Sequence, residues 1–172
     1  MKWKDKLIND LLDSLKKDMY WSRLIYNAIH ENKINIHLAI FNEPFLSLII
    51  AKKKTMESRF SVNHVSPYNK INSNDIVLIK KSGGNVDAIF TAKNIKYFRN
   101  LSSDKISILN EKYGNQIGWD IDPEFLKNKS GAKYLTLMEI SHLKTLAPIE
   151  VGKKDKTGWS VIKLGLKNTL FE

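Results

Sequence analysis

The chain has 172 residues, no cysteine, a formal net charge of +10 and a pI of about 9.6. The lack of cysteine excludes disulfides, thiolate metal sites and cysteine nucleophiles, and no apolar run reaches the roughly 20 residues that span a membrane. The length fits one domain with its own core, and the basic balance favours a polyanionic partner, nucleic acid before membrane, over a lysine-rich composition that serves only solubility.

The first thirty residues predict helices. Apolar residues recur at three- and four-residue steps from Trp3 to Met19, and a second such stretch runs from Tyr20 to Ile29. The segment lacks the continuous apolar core and the cleavage site of a signal peptide, so we expect a cytoplasmic protein. Acidic residues interrupt the basic face, which favours packing against the rest of the chain, or self-association, over a membrane surface. Residues 1–32 are therefore predicted to form an N-terminal helical extension, and residues 33–172 the main domain.

The next segment predicts a strand, a helix and a second strand. Apolar and polar residues alternate from Ile34 to Phe41, which is typical of a strand. "NEPFLSLIIAKKK" predicts a helix with Asn42 at its N-cap and Pro44 in its first turn. The following stretch, "TMESRFSV", is predicted to be extended.

The remainder of the chain predicts strands interrupted by one main helix. "DIVLIKK" and "VDAIFTAKNIKYF" predict two strands joined by the turn "SGGN". "SSDKISILNEKYG" predicts a helix with Ser103 or Asp104 as its cap and Gly114 as its stop, and "DPEFLKN" adds another turn. "AKYLTLMEISHLKTL" and "GWSVIKL" supply the last strands. This order predicts an α+β fold, a small β-barrel with flanking helices and an N-terminal helical extension.

The stretch "KTMESRF" places charges directly after the apolar helix. In an extended chain Thr55, Glu57 and Arg59 fall on one side, and Lys54 can turn toward them from the helix exit. A carboxylate between Arg and Lys stays ionised, and an arginine that it holds presents a rigid fork to a phosphate or a base edge. An ion pair that closes a barrel explains the same spacing equally well.

The residues around this motif resemble the signature of the ASCH domain family. That family has a (Q/E)-P-(F/W) helix start ahead of a G-x-K-x-x-E-x-R motif, and Lys54, Glu57 and Arg59 fall on its Lys, Glu and Arg. "INSNDIVLIKKSGGNVDAIFTAKNIKYF" is similar to the family's second motif, and "KYLTLMEISHLKTL" and "KDKTGWSVI" are similar to its closing strands. The resemblance covers about residues 34 to 166. Two glycines of the family pattern are Lys52 and Asn74 here.

The resemblance implies a β-barrel similar to that of PUA domains, which bind RNA, with an RNA or nucleotide ligand in a basic cleft beside the Lys–Glu–Arg motif. Some members of the family are amidohydrolases that act on acetylated cytidine, with a Thr nucleophile two residues before the Arg. This chain has Glu57 at that position and Thr55 two residues earlier, which counts against that activity. Other members are proposed to cut RNA.

Further candidate residues lie near the motif in the sequence. Lys52 and Lys53 precede it, and His64 and Tyr68 follow on a predicted loop, from which a histidine could reach the cleft and a tyrosine could stack on a base. Lys80 ends a predicted strand. Each has a structural alternative, namely a loop histidine, a packing tyrosine and a solvated strand edge. The four histidines show no metal-ligand spacing, and we expect neither a metal nor a cofactor.

We therefore predict an ASCH-like, PUA-like domain that binds RNA or single-stranded nucleic acid, or a modified nucleoside or nucleotide. A first alternative is a hydrolase, either a ribonuclease or a nucleoside amidohydrolase, in which Lys54, Glu57 and Thr55 would be catalytic. A second alternative is a protein-interaction module built on the N-terminal helices. The predicted ligand-binding residues are Lys52, Lys53, Lys54, Glu57, Arg59, His64, Tyr68 and Lys80.

Overall fold

Helices and strands lie where the sequence pattern predicts them, with boundaries that differ by a few residues. The computed structural model describes residues 2–153 and 157–165. None of the helices in this part of the chain combines the length and the apolar character that a membrane crossing requires. The described residues contain five α-helices, one 3₁₀ turn and six strands: α1 (Trp3–Leu15), α2 (Met19–His30), β1 (Ile36–Phe41), α3 (Phe45–Ile50), β2 (Met56–Ser61), β3 (Ile76–Lys81), β4 (Val86–Arg99), α4 (Ser103–Ile117), the 3₁₀ turn (Trp119–Ile121), α5 (Pro123–Lys127), β5 (Tyr134–Ile149) and β6 (Trp159–Lys163).

The strands form one curled sheet in the order β2-β5-β4-β3-β1-β6. β1 pairs with β3 in parallel, and the other neighbouring pairs are antiparallel. β4 and β5 are the longest strands, and irregularities in their pairing bend and twist the sheet. The predicted α+β class is confirmed. The predicted barrel is an open half-barrel whose edge strands are β2 and β6.

The long helix α4 begins and ends at different residues from those predicted. The Ser102 hydroxyl accepts a hydrogen bond from Lys105 N at 3.2 Å and is the N-cap. Gly118 ends the helix in the left-handed conformation, with φ 79°, which glycine adopts without steric cost. Gly114 lies inside the helix, where a Cβ would come within 2.4 Å of Asn110 Oδ1. Gly114 therefore allows close packing inside the helix, and Gly118 ends the helix.

The two N-terminal helices share a hydrophobic core with the sheet. The sequence left two partners open for their apolar stripe, the rest of the chain or a second copy. In the structure the stripe packs against strands of the same chain. Met19, Tyr20 and Tyr26 are the large apolar residues of these helices that stay exposed. The core contains six buried residues from the helices and eight from the strands: Leu7, Leu11, Leu15, Trp21, Ile25, Ala28, Ile36, Leu38, Ile76, Leu78, Val86, Ile89, Ile149 and Ile162.

A buried polar network on Asp75 ties β1 to the start of β3. The carboxylate accepts hydrogen bonds from Asn35 N at 3.0 Å, Asn35 Nδ2 at 2.8 Å and Asn72 N at 2.7 Å. Its Oδ2 also lies 3.1 Å from His37 Nε2. The Trp159 indole, which can only donate, reaches His37 Nδ1 at 3.1 Å, so the histidine hydrogen is on Nε2 and points to the carboxylate.

We expect Asp75→Asn to destabilise the fold by about 3 kcal/mol, because an amide cannot accept at its nitrogen and buried donors lose their partner. Urea unfolding measures this loss. Asp13→Asn, a change of the same chemistry at an exposed helix position, is the control and should leave the midpoint unchanged. An Asp75→Asn midpoint equal to that of the wild-type chain would contradict the role given to the network.

Candidate functional site

The Lys–Glu–Arg motif lies where the chain passes from α3 into β2. The amides of Lys53 and Lys54 both donate to Leu48 O, at 2.9 and 3.0 Å. Lys52 adopts φ 59°, and this left-handed residue turns the chain sharply after the helix. Glu57 and Arg59 are two residues apart on β2 and therefore share one face of the strand.

Lys54 is a buried lysine whose ammonium is fully used inside the protein. Its side chain is 3% exposed, and Nζ lies 2.8 Å from Met56 O, 2.8 Å from Ile117 O and 3.1 Å from Glu57 Oε2. An ammonium has three donors, so these partners account for all of them. Burial lowers the pKa of Lys54, although the attraction of Glu57 opposes that shift. Its predicted role as a ligand-binding residue would require one of these bonds to break.

Glu57 and Arg59 form the second half of the motif. Glu57 Oε1 lies 2.7 Å from Arg59 Nε, and the glutamate side chain is 6% exposed. The arginine reaches across the open side of the half-barrel, where its Nη2 donates to Ile40 O at 3.0 Å and its Nη1 to Gly158 O at 3.4 Å. Because Arg59 is on the edge strand β2 while Ile40 is on β1 and Gly158 precedes β6, the guanidinium joins the two ends of the sheet.

The Arg59 guanidinium lies over two aromatic rings. Its central carbon lies 4.6 Å from the ring centre of Phe41 and 5.3 Å from that of Trp159. Trp159 is itself fixed by its hydrogen bond to His37. The buried Asp75 network thus extends to the residue that binds the arginine.

Glu57 and Arg59 open onto a cleft of about 420 Å³. One wall is aromatic: the ring of Phe125 lies 5.0 Å from that of Phe45 and 6.1 Å from that of Phe60. The lining residues come from the end of β1, the start of α3, β2 and the segment around α5: Ile40, Phe41, Asn42, Glu43, Phe45, Lys54, Glu57, Ser58, Arg59, Phe60, Asp122, Phe125, Asn128 and Lys129.

The charges of this cleft are balanced. Three cationic and three acidic side chains line it, so its formal charge is zero although the chain carries +10. A polyanion would therefore gain little from the cleft itself. The lining charged residues are Lys54, Arg59, Lys129, Glu43, Glu57 and Asp122.

Two of the predicted residues border a different cavity. Lys52 and the exposed Thr55 line a second cavity, of about 280 Å³, to which Lys54 also contributes. Thr55 therefore does not join Glu57 and Arg59 on the cleft side, because it precedes β2 and lies outside the regular alternation of that strand. Lys53 is exposed.

His64, Tyr68 and Lys80 also lie apart from the cleft lining. His64 is exposed and packs edge-on against Tyr68 and Tyr134, with ring centres 4.9 and 5.5 Å apart. Tyr68 is buried, and its ring centre lies 5.3 Å from that of Tyr97, so these rings pack against one another. Lys80 is buried and donates to Lys81 O at 3.2 Å.

The aromatic wall of the cleft and its amide neighbours were not among the predicted site residues. Phe41 ends one predicted strand and Phe60 lies within another, where both have the pattern of ordinary core residues. Phe125 and Asn128 belong to a turn more than sixty residues after Arg59, and no spacing rule connects the two segments. Among the described residues, no group of His, Asp or Glu side chains could hold a metal ion.

No family model and no curated protein matches the sequence. The structure is similar to the crystal structure of ASCH from Zymomonas mobilis, with a TM-score of 0.57 and 13% identity over 78% of this chain and 91% of that chain. A tyrosine-to-phenylalanine variant of the same protein matches with a TM-score of 0.56, covering 94% of its chain, and a serine-to-alanine variant with 0.57, covering 92%; both are 13% identical over 78% of this chain. The resemblance to ASCH domains is thus confirmed for the fold.

Proposed function

We propose that this ASCH-like chain binds a nucleobase in the cleft, either as an unpaired base of RNA or as a modified nucleoside. The observation that carries the proposal is the combination of a fixed arginine fork with an aromatic wall in one cleft of about 420 Å³. That volume lies in the range of sites that enclose small organic ligands. Unpaired bases are recognised in this way, by stacking on aromatic rings and by hydrogen bonds at their edges.

Arg59 is suited to recognise a base edge. Its described hydrogen bonds use one N–H of Nη1 and one N–H of Nη2, and each of these nitrogens carries a second N–H, so two donors remain at the tip of the fork for a ligand. The ion pair with Glu57 and the contacts with Phe41 and Trp159 hold the fork in place, which lowers the entropy cost of binding.

The charge balance of the cleft favours a base over a phosphate chain as the group that it encloses. In the proposed complex the phosphates of RNA lie outside the cleft, and only the base enters it. Binding of a free nucleoside should therefore depend weakly on salt, whereas binding of RNA should depend more strongly because other lysines contact the backbone.

The hydroxyl groups near the cleft are poorly suited to act as nucleophiles, which favours binding over a covalent hydrolytic mechanism. Among the described residues that line the cleft, Ser58 supplies the one hydroxyl, and that oxygen accepts a hydrogen bond from Trp119 Nε1 at 2.9 Å. Thr55 borders the other cavity. The hydrolase alternative would have to use water activated by Glu57 or Lys54, and both side chains are held in ion pairs.

The test is binding of nucleosides and of a short RNA to wild-type chain and to Phe125→Ala. Phe125 belongs to α5, which has no buried residue, so its removal should leave the fold intact. Because stacking on one aromatic ring contributes about 1–3 kcal/mol, we expect binding about 5- to 150-fold weaker. Calorimetry measures the affinity, and chromatography of the recovered RNA checks that it is intact.

The matched control is Ile108→Ala, an exposed apolar residue of α4 outside the cleft lining. Equal affinity of wild type and Phe125→Ala, or an equal loss in Ile108→Ala, would contradict the proposal. RNA that is cleaved by the wild-type chain and left intact by Glu57→Gln, under conditions where the unfolding curve shows that the variant is folded, would favour the hydrolase alternative.

A further inference from the structure

The second cavity has a composition unlike that of the cleft. It holds about 280 Å³ and lies between the exit of α3 and the middle of β5. Ile49, Ile140 and Leu143 form its apolar part, and the polar part includes Lys52, Thr55 and His142. None of the described residues that line it is acidic, so its charges are all positive.

The backbone is strained on both sides of this cavity. Seven described residues other than glycine have positive φ, and five of them are asparagines, which tolerate the left-handed region. The remaining two are Lys52, with φ 59°, and His142, with φ 52°, and both line the second cavity. Strain of this kind persists where surrounding structure enforces it, and it is concentrated at functional sites. Here the two strained residues are a lysine and a histidine, which can both donate hydrogen bonds.

A hydrogen bond accepted at Nδ1 makes Nε2 of the His142 ring a hydrogen-bond donor. Its Nδ1 lies 3.0 Å from Ser141 Oγ, a hydroxyl that can donate to it, and 3.2 Å from Thr91 Oγ1, whose own hydrogen is donated to Ser141 O at 3.2 Å. A histidine that accepts at Nδ1 has its hydrogen on Nε2, which is then a donor. The ring is also stacked on Tyr20 of α2, with centres 4.5 Å apart, so its orientation is fixed.

We infer that the second cavity is a binding site for a phosphate group, distinct from the cleft. The Lys52 ammonium supplies the charge, and the His142 ring and the Thr55 hydroxyl supply further hydrogen-bond donors. The phosphate belongs either to a small ligand or to an RNA backbone, and the apolar part of the cavity accommodates the carbon atoms beside it. The site does not depend on the proposed base-binding cleft.

The experiment is a titration of the isotope-labelled full-length chain, observed by NMR, with inorganic phosphate, uridine monophosphate and a short oligouridylate in separate arms. We expect the amide signals of Lys52, Thr55 and His142 to shift. Lys52→Asn should weaken phosphate binding about 10-fold, as expected for the loss of one charged hydrogen bond. It should also raise the melting temperature by about 2 °C, because asparagine relieves the left-handed strain.

Lys53→Asn is the matched control, because Lys53 is the exposed neighbour of the same type and charge outside the cavity lining. Binding of all three probes would show that the phosphate group itself is recognised, and binding of the oligouridylate alone would assign the site to a nucleic-acid backbone. The inference fails if no probe shifts the cavity signals, or if Lys53→Asn and Lys52→Asn weaken binding equally.

The two sites can be tested separately. Phe125→Ala should leave phosphate binding to the second cavity unchanged, and Lys52→Asn should leave binding of unphosphorylated uridine to the cleft unchanged. Loss of uridine binding in Lys52→Asn would show that the two cavities act as one site and would overturn the inference of a separate site.

Discussion

A chain without residues 2–32 is expected not to fold. The helices contribute five large side chains that are at most 3% exposed, Leu7, Leu11, Leu15, Trp21 and Ile25. Burial of each contributes about 1.5–3 kcal/mol, or about 8–15 kcal/mol in total. That sum equals the whole net stability of a typical domain, about 5–15 kcal/mol. The truncated chain would also expose eight buried aliphatic residues on the strands, and a patch of this kind promotes aggregation.

Urea unfolding of purified soluble protein measures this effect, together with size-exclusion chromatography. Leu11→Ala is the graded variant: at 0% exposure it should cost about 2–5 kcal/mol without abolishing the fold. Tyr26→Ser, a change on the exposed side of α2, should stay within about 0.5 kcal/mol of wild type. A monomeric truncated chain with a cooperative transition at the wild-type midpoint would instead favour a separable interaction module.

Glu57→Gln is expected to destabilise the chain by about 3–5 kcal/mol at neutral pH. The substitution removes the negative charge that lies between Lys54 and Arg59, and it leaves the lysine, which is 3% exposed, without a counter-charge. The new amide is nearly the same size as the carboxylate, so packing changes contribute little. Asp10→Asn, which removes an exposed i,i+4 partner of Lys6, is the control and should not move the unfolding midpoint.

The deficit of Glu57→Gln should shrink as the pH rises. Burial holds the pKa of Lys54 below its ordinary value of 10.5, so between the folded and unfolded values the unfolded chain binds more protons and stability increases with pH. The attraction of Glu57 raises the pKa of Lys54, and its loss extends this window to lower pH. Unfolding curves measured from neutral pH up to about pH 10 test this expectation. A deficit that does not change with pH would show that Lys54 is not the cause.

Local sequence patterns were sufficient for the elements of the fold. Helical periodicity predicted α1 and α2, alternation predicted β1, and "SGGN" marked the turn between β3 and β4. These features depend on interactions between residues a few positions apart, which the sequence displays directly. The end of α4 was predicted less well, since Gly114 and Gly118 look alike in sequence and differ only in the contacts around them.

The candidate site could be predicted only in part. The sequence placed Lys54, Glu57 and Arg59 together because they are close along the chain. It could not show that Lys54 is fully bonded, that Arg59 joins both ends of the sheet, or that Thr55 lies at another cavity.

The class of the fold, the order of its elements and the charged motif could be read from local geometry and composition alone. The charge balance and the aromatic wall of the cleft, and the presence of Lys52 and His142 at one second cavity, became visible only in the folded chain. These residues are far apart along the chain: Phe125 contacts Phe60, and His142 lines the same cavity as Lys52, because the curled sheet brings distant segments together.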